Sequence, residues 1–186
     1  MKFNYIISLG SDCLPRVSLT NVDIKKSKTN GELSCPFDLA VTFPLDIMSM
    51  IENDFEKLTD EDFIEIREIN SVDIISNTMY NKCFFNHESR FLTDIDFSKD
   101  NFKLFKERYK ERIKNFNKYI NDNDILFVFN CRDDVDINKL FNCISTKFPN
   151  LRFELIVIHL YEAIHVDIDS NNKKIHYLKY YMKDIW

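Results

Sequence analysis

Only two glycines occur in the 186 residues, and one of them, Gly10, ends the run Tyr5-Ile6-Ile7-Ser8-Leu9. A short apolar run rich in β-branched and aromatic residues suits a strand buried on both faces. A glycine at its end serves a sharp turn that needs positive φ. Ser11 and Asp12 are both good N-cap residues and Pro15 fits a first helical turn, so the spacing predicts a helix with Cys13 among its first residues. A thiol there lies near unpaired backbone N–H groups and the positive end of the helix dipole. Both favour the thiolate, which is the nucleophilic form, and predict a lowered pKa. The competing reading of Cys13 is a small, passive, buried cysteine.

The length suits a single domain, 1–186, and 45% hydrophobic residues with 17 phenylalanines make the chain globular. With 25 basic against 30 acidic residues, net −5, it has no electrostatic footprint for nucleic acid or an anionic membrane. No apolar run approaches the roughly 18 residues of a membrane span, and the N-terminus lacks the charged, apolar, small-residue order of a secretion signal. A cytoplasmic location is expected. Cys13, Cys35, Cys83, Cys131 and Cys143 are odd in number, scattered and without a C-x-x-C pair, which predicts reduced thiols. Neither the cysteines nor the histidines have metal-ligand spacing, and no cofactor is implied.

Along the chain, Asn21 to Leu33 reads as a polar loop with a turn at Asn30-Gly31. Thr42 and Pro44 open a helix carrying Ile47, Met48, Ile51, Phe55 and Leu58 on one face. The acidic residues 59 to 70 have no clear period. Val72 to Ile75 and Met79 to Phe85 read as a hairpin about Ser76-Asn77-Thr78, delivering Asn86-His87-Glu88 at its end. Ser98 precedes a long helix, about 99 to 121, with Phe102, Phe105, Tyr109, Ile113, Phe116 and Ile120 at helical spacing and its charged residues on a solvated face. Ile125 to Phe129 is a strand, Asp136 caps a helix, Phe153 to Leu160 is another strand, and short strands fall near Ile164 to Ile168 and Ile175 to Met182. Apolar strands alternating with amphipathic helices predict an α/β fold: a three-layer, Rossmann-like arrangement with a mainly parallel sheet and an inserted β-hairpin. Ligands gather at the carboxyl ends of such strands, which would place Cys13 and Asn130-Cys131-Arg132-Asp133 at one edge.

A cysteine nucleophile needs a base within hydrogen-bond reach and a group to orient the base. Of the four histidines, His87 sits in a polar turn, whereas His159 and His176 lie in strands and His165 is ambiguous. His87 is the candidate partner of Cys13. Asp38, in a loop fixed by Pro36 and Phe37, and Asn130, at the end of a buried strand, are both candidates for the orienting group. Beside Gly10, the N–H groups of Asp12 and Cys13, with the Ser11 or Asn130 side chain, would form an oxyanion hole.

Ser8-Leu9-Gly10-Ser11-Asp12-Cys13, Cys35-Pro36-Phe37-Asp38, Glu52-Asn53-Asp54-Phe55, Phe85-Asn86-His87-Glu88 and Leu126-Phe127-Val128 together resemble a bacterial and viral family described as putative papain-like cysteine peptidases. The resemblance implies Cys13 as nucleophile and His87 as base, with Asp38 in the third block of the family. The chain departs from the family pattern at Leu39, Glu88 and Phe129, where an aromatic residue, Asp and Arg are usual. A papain-like enzyme would set its cysteine at the start of a helix against an antiparallel sheet, whereas the periodicity predicts a strand before the cysteine and a parallel sheet after it. The expected activity is a cysteine-dependent hydrolase or acyl transferase with a Cys-His dyad or triad. The peptide or other acyl substrate and the oligomeric state are not legible.

Two other readings compete. One is a non-catalytic α/β domain that binds a small ligand or a protein. The other is a serine esterase-like hydrolase, with Ser11 in Gly10-Ser11-Asp12 as nucleophile and Glu162-Ala163-Ile164-His165 supplying its acid and base.

Overall fold

An isolated backbone bridge between Ser11 and Thr42 joins the ends of the two main sheets. It explains most of what the site looks like. The computed structural model describes residues 2–26, 30–89, 94–122, 124–132, 134–159, 165–169 and 171–179. The first half contains β1 (Tyr5–Ser8), α1 (Leu14–Asn21), β2 (Val41–Thr42), α2 (Pro44–Glu52), β3 (Ile64–Ile69), β4 (Val72–Asn77) and β5 (Cys83–Phe84). The second contains α3 (Lys99–Asn121), β6 (Ile125–Cys131), β7 (Val135–Asp136), α4 (Ile137–Lys147), β8 (Phe153–His159), β9 (Val166–Asp167) and β10 (Ile175–Lys179).

The fold is mixed α/β. Its parallel sheet runs β1-β6-β8-β10, with Ile7 opposite Phe127 and Phe127 opposite Leu155. These residues are fully buried, as the continuous apolar runs predict. The second sheet, β2-β5-β4-β3, is antiparallel, and β7 pairs with β9 in a small parallel third.

The hairpin differs from the sequence expectation. Its arms are β3 and β4, so the acidic segment without a clear period contains a strand, and the turn is Asn70-Ser71, both at positive φ (53° and 62°). Ser76 and Asn77 are not turn residues; they are buried in β4. Asn77 bonds the Lys57 and Leu58 carbonyls through its amide (2.7 and 3.3 Å), so tertiary partners override the turn preference of Ser-Asn-Thr. The second expected arm survives as β5, which meets β4 at Ser76 and Phe84.

The helix expected over 99 to 121 is present, but Asp100, Asn101 and Phe102 have left-handed φ (51°, 55° and 58°), so its regular part begins after them. Phe105, Tyr109, Phe116 and Ile120 are buried as the spacing predicts. Arg112 on the supposedly solvated face is buried too. Of the late strands, β9 is shorter than expected, β10 is strand over the described part of its expected range, and the parts expected at Leu160, Ile164 and beyond Lys179 lie outside the described residues.

Gly10 continues the β1-β6 ladder after β1 ends: Leu9 N–H donates to the Val128 carbonyl (2.9 Å) and Asn130 N–H to the Gly10 carbonyl (3.0 Å). Its φ is +95°, and a Cβ there would stand 2.7 Å from Thr42 Oγ1. Both the turn and the approach of β2 therefore need glycine. Gly10→Ala should cost about 2–4 kcal/mol of unfolding free energy from the left-handed backbone and the overpacking, read by urea denaturation. A loss under about 0.5 kcal/mol would mean the junction can relax.

Candidate functional site

Cys13 reaches its position because β1 ends at Ser8 and the chain turns at Gly10 into α1. Cys13 itself is the N-cap of that helix and has no side-chain cap bond; Asp12, one residue earlier, accepts the Leu14 N–H through Oδ1 at 2.8 Å. The same oxygen accepts the Asn130 amide (2.8 Å), and Oδ2 lies 2.6 Å from Arg132 Nε. Asp12 thus fastens the turn holding Cys13 to the carboxyl end of β6, the edge at which α/β sheets gather ligands.

His87 reaches the same place by a separate route. The Thr42 N–H donates to the Ser11 carbonyl (3.0 Å), β2 pairs with β5 through Val41–Phe84 and Thr42–Cys83, and β5 leads into the single 3-10 turn Asn86–Glu88. That turn is clamped on both sides of the histidine. Phe85 packs on Phe105 and Tyr109 of α3, with ring centroids 4.8 and 4.6 Å apart. Glu88, 1% exposed, receives Arg108 (2.9 Å) and Arg112 (2.6 Å) from the same helix. Charge-assisted pairs in a dry setting are strong positional restraints. Nothing in the sequence pattern singled out Glu88, Arg108 and Arg112. The available signal was a carboxylate beside a candidate base and arginines at i and i+4 on the apolar helix.

Cys13 and His87 line one cleft of about 300 Å³. Ser11 and Asp12 flank the cysteine, residues 39–42 form one wall, and Lys82, Asn86 and Arg132 complete the opening. The two residues line the same cleft although they are reached from strands of different sheets, Cys13 after β1 and His87 after β5.

Asp38 and Asn130, the candidates for the orienting group, are not among the residues that line the cleft. Asp38 is fully buried, accepts the Cys35 N–H at 2.9 Å, and stands 3.7 Å from Arg16 and 3.9 Å from Lys25. It fixes the Cys35–Leu39 turn that leads into β2, and no contact to His87 is formed among the described residues. Asn130 holds Asp12 through its amide, and its carbonyl accepts both the N–H (3.3 Å) and the hydroxyl (3.1 Å) of Ser11. The Ser11 hydroxyl and the Asn130 amide thus spend these protons on the scaffold. The Cys13 N–H faces its own sulfur, and the Asp12 N–H has no acceptor among the described residues. Of the donors expected to form an oxyanion hole, the Asp12 N–H is thus the one without a partner among the described residues.

The thiol itself corrects an expectation. Burial pushes the Cys13 thiol above its ordinary value and the Asp12 carboxylate adds to this, outweighing its own N–H and Arg132, which pull it down. The short α1 does not make a preformed thiolate, because burial of the sulfur and, after it, the neighbouring Asp12 carboxylate disfavour the charged form. Attack from this site requires a base to take the proton.

The remaining histidines stand elsewhere. His159 Nδ1 meets the Tyr177 hydroxyl in the parallel sheet, His176 faces Glu154, and His165 is exposed with its N–H on Asp134. Glu162, Ala163 and Ile164 lie outside the described residues. Ser11 is 3% exposed with its hydroxyl occupied, unlike an esterase nucleophile. All five cysteines are free thiols. Among the described residues no helix is long and apolar enough to cross a membrane, and no group of three His, Cys, Asp or Glu could hold a metal ion.

The fold and the cleft define a mixed α/β protein that presents a cysteine and a histidine to one cavity. Residues 4–162 match the family described as "Putative papain-like cysteine peptidase (DUF1796)", and the chain belongs to that family. No curated protein and no solved structure matches the chain.

Proposed function

We propose that this protein is a cysteine-dependent hydrolase or acyl transferase working through Cys13 and His87, on a single domain spanning residues 1–186. The observation that carries this reading is the convergence of the two side chains on one cleft from two different sheets. Family membership supports it. His87 takes the Cys13 proton as the sulfur attacks an acyl carbon, forming an S–C bond and an oxyanion facing the Asp12 and Cys13 N–H groups. Collapse breaks the bond to the leaving group, which departs with the proton from His87. Water then cleaves the thioester in a hydrolase, or an acceptor nucleophile does so in a transferase. Asp38 and Asn130 act as positioning residues, Asp38 through the turn entering β2 and Asn130 through Asp12. The parallel sheet with its helices fits a three-layer, Rossmann-like arrangement, and free thiols fit a cytoplasmic setting.

The upward shift of the thiol favours a second reading, a binding domain with a passive Cys13. Acylation by p-nitrophenyl acetate, located by mass on Cys13, separates the two. The catalytic reading expects a burst of p-nitrophenol that falls roughly 100-fold or more in His87→Ala, the usual contribution of a general base. Equal acylation in wild type and His87→Ala would overturn it.

A further inference from the structure

Within the wall of the cleft, Lys82 is a cation placed with unusual care. Asp46, 4% exposed, accepts the N–H of Asn81 (3.1 Å) and of Lys82 (2.9 Å), and the Phe43 N–H donates to the Lys82 carbonyl (3.3 Å). The backbone on both sides of the residue is thereby fixed. The ammonium lies 4.2 Å from the centroid of the Phe43 ring. That contact supports a cation from one side without neutralising it. Asp46 is the carboxylate anchored to this segment, and its oxygens face backbone N–H groups. Among the described residues no carboxylate lies within ion-pair distance of the Lys82 ammonium.

The charges of the lining follow. Asp12 is matched by Arg132 at 2.6 Å, which leaves Lys82 in excess beside Cys13 and His87. Among the described residues the lining of the cleft thus carries an excess positive charge, in a chain of net charge −5. An uncompensated charge fixed in a partly enclosed wall attracts the opposite charge more strongly than a mobile surface lysine does.

We infer that Lys82 is a specificity residue and that the site takes acyl substrates carrying a carboxylate close to the scissile carbonyl, as in an acidic peptide or a chain-terminal acid. This rests on the reading of Cys13 as the nucleophile facing that cleft. Lys82 binds the carboxylate while the carbonyl meets the sulfur, so its contribution is orientation and selection rather than proton transfer.

Iodoacetate and iodoacetamide test this without a known substrate. In both, sulfur displaces iodide, and they differ in a carboxylate next to the reacting carbon. The rate ratio, iodoacetate over iodoacetamide, is measured by mass on Cys13 and divided by the same ratio for glutathione at equal pH, which cancels intrinsic thiol reactivity. The expected normalised ratio is roughly 3 or more in wild type, retained in Lys82→Arg, reduced roughly two- to fivefold in Lys82→Met, and lowered by 0.5 M KCl. A wild-type ratio near 1, or one unchanged in Lys82→Met, would overturn the assignment. Protection of Cys13 from iodoacetamide then fixes the anion: N-acetylglutamate should protect better than N-acetylglutamine or inorganic phosphate. Equal protection by the two amino-acid derivatives, or better protection by phosphate, would count against a carboxylate. Failure here leaves the nucleophile reading intact, because that reading stands or falls on the His87 dependence of acylation.

Discussion

Glu88→Ala should destabilise the protein by about 3–5 kcal/mol, the usual cost of stranding buried partners of an ion pair. The carboxylate is 1% exposed and holds Arg112 at 2.6 Å and Arg108 at 2.9 Å. Arg112 is itself buried and lies over the Tyr109 ring at 4.4 Å, so its charge is poorly solvated when Glu88 is removed. Arg108 is more exposed, stacks on Phe97, and contributes less. The readout is the urea midpoint at constant slope. Glu88→Gln keeps the shape and an acceptor, so its loss should be smaller. A loss under about 1 kcal/mol in Glu88→Ala would show that Arg112 escapes to solvent. The same variant should also slow acylation of Cys13, since the turn carrying His87 would lose one of its two anchors.

Alkaline pH should unfold the protein steeply, and the buried thiols set the slope. Cys35 and Cys83 are 0% and 1% exposed. Burial pushes both thiols far above their ordinary value, and Asp38 beside Cys35 and Asp46 beside Cys83 add to the shift. In the unfolded chain a thiol loses its proton near pH 8.5. Above that pH the unfolded state therefore binds fewer protons than the folded state. Their contribution is fully present below about pH 8.5 and is lost as pH rises toward the folded values. Each thiol removes up to about 1.4 kcal/mol per pH unit inside that window and about 1.2 kcal/mol between pH 9 and 10, where the unfolded thiol is still part protonated at the start, so the pair removes roughly 2.5 kcal/mol there. Against a total of about 5–15 kcal/mol this is decisive. Urea unfolding at pH 8, 9 and 10 measures it, and Cys35→Ala with Cys83→Ala should flatten the curve even though each lowers stability at pH 8. A pH dependence unchanged in the double variant would assign the alkaline loss to other groups.

How the site became legible follows from the same contacts. The strand, turn and thiol at Tyr5 to Cys13 were readable because each step is local: an apolar run, a glycine at φ +95°, a carboxylate that accepts the first helical N–H. His87 was readable as a polar turn histidine after a β-favouring run. The hairpin was misplaced because Asn70-Ser71 carries no glycine to mark its turn, while Ser76-Asn77-Thr78 mimics one and is instead held by Lys57 and Leu58. The direction of the thiol shift is not local: burial of the sulfur by distant segments, and then the Asp12 charge beside it, outweigh the pull of the helix start.

By itself the sequence determined the alternation of buried strands with amphipathic helices, the turn at Gly10 and the two residue types able to do acyl chemistry, since periodicity, backbone freedom and side-chain chemistry are local properties. Tertiary structure alone decided that the parallel sheet supplies the cysteine and the antiparallel sheet the histidine, that Asp38 faces Arg16 and Lys25, and that Glu88 locks the turn to α3. Such pairings depend on which distant segments share buried space, and a carboxylate takes its role from the charges that burial places around it.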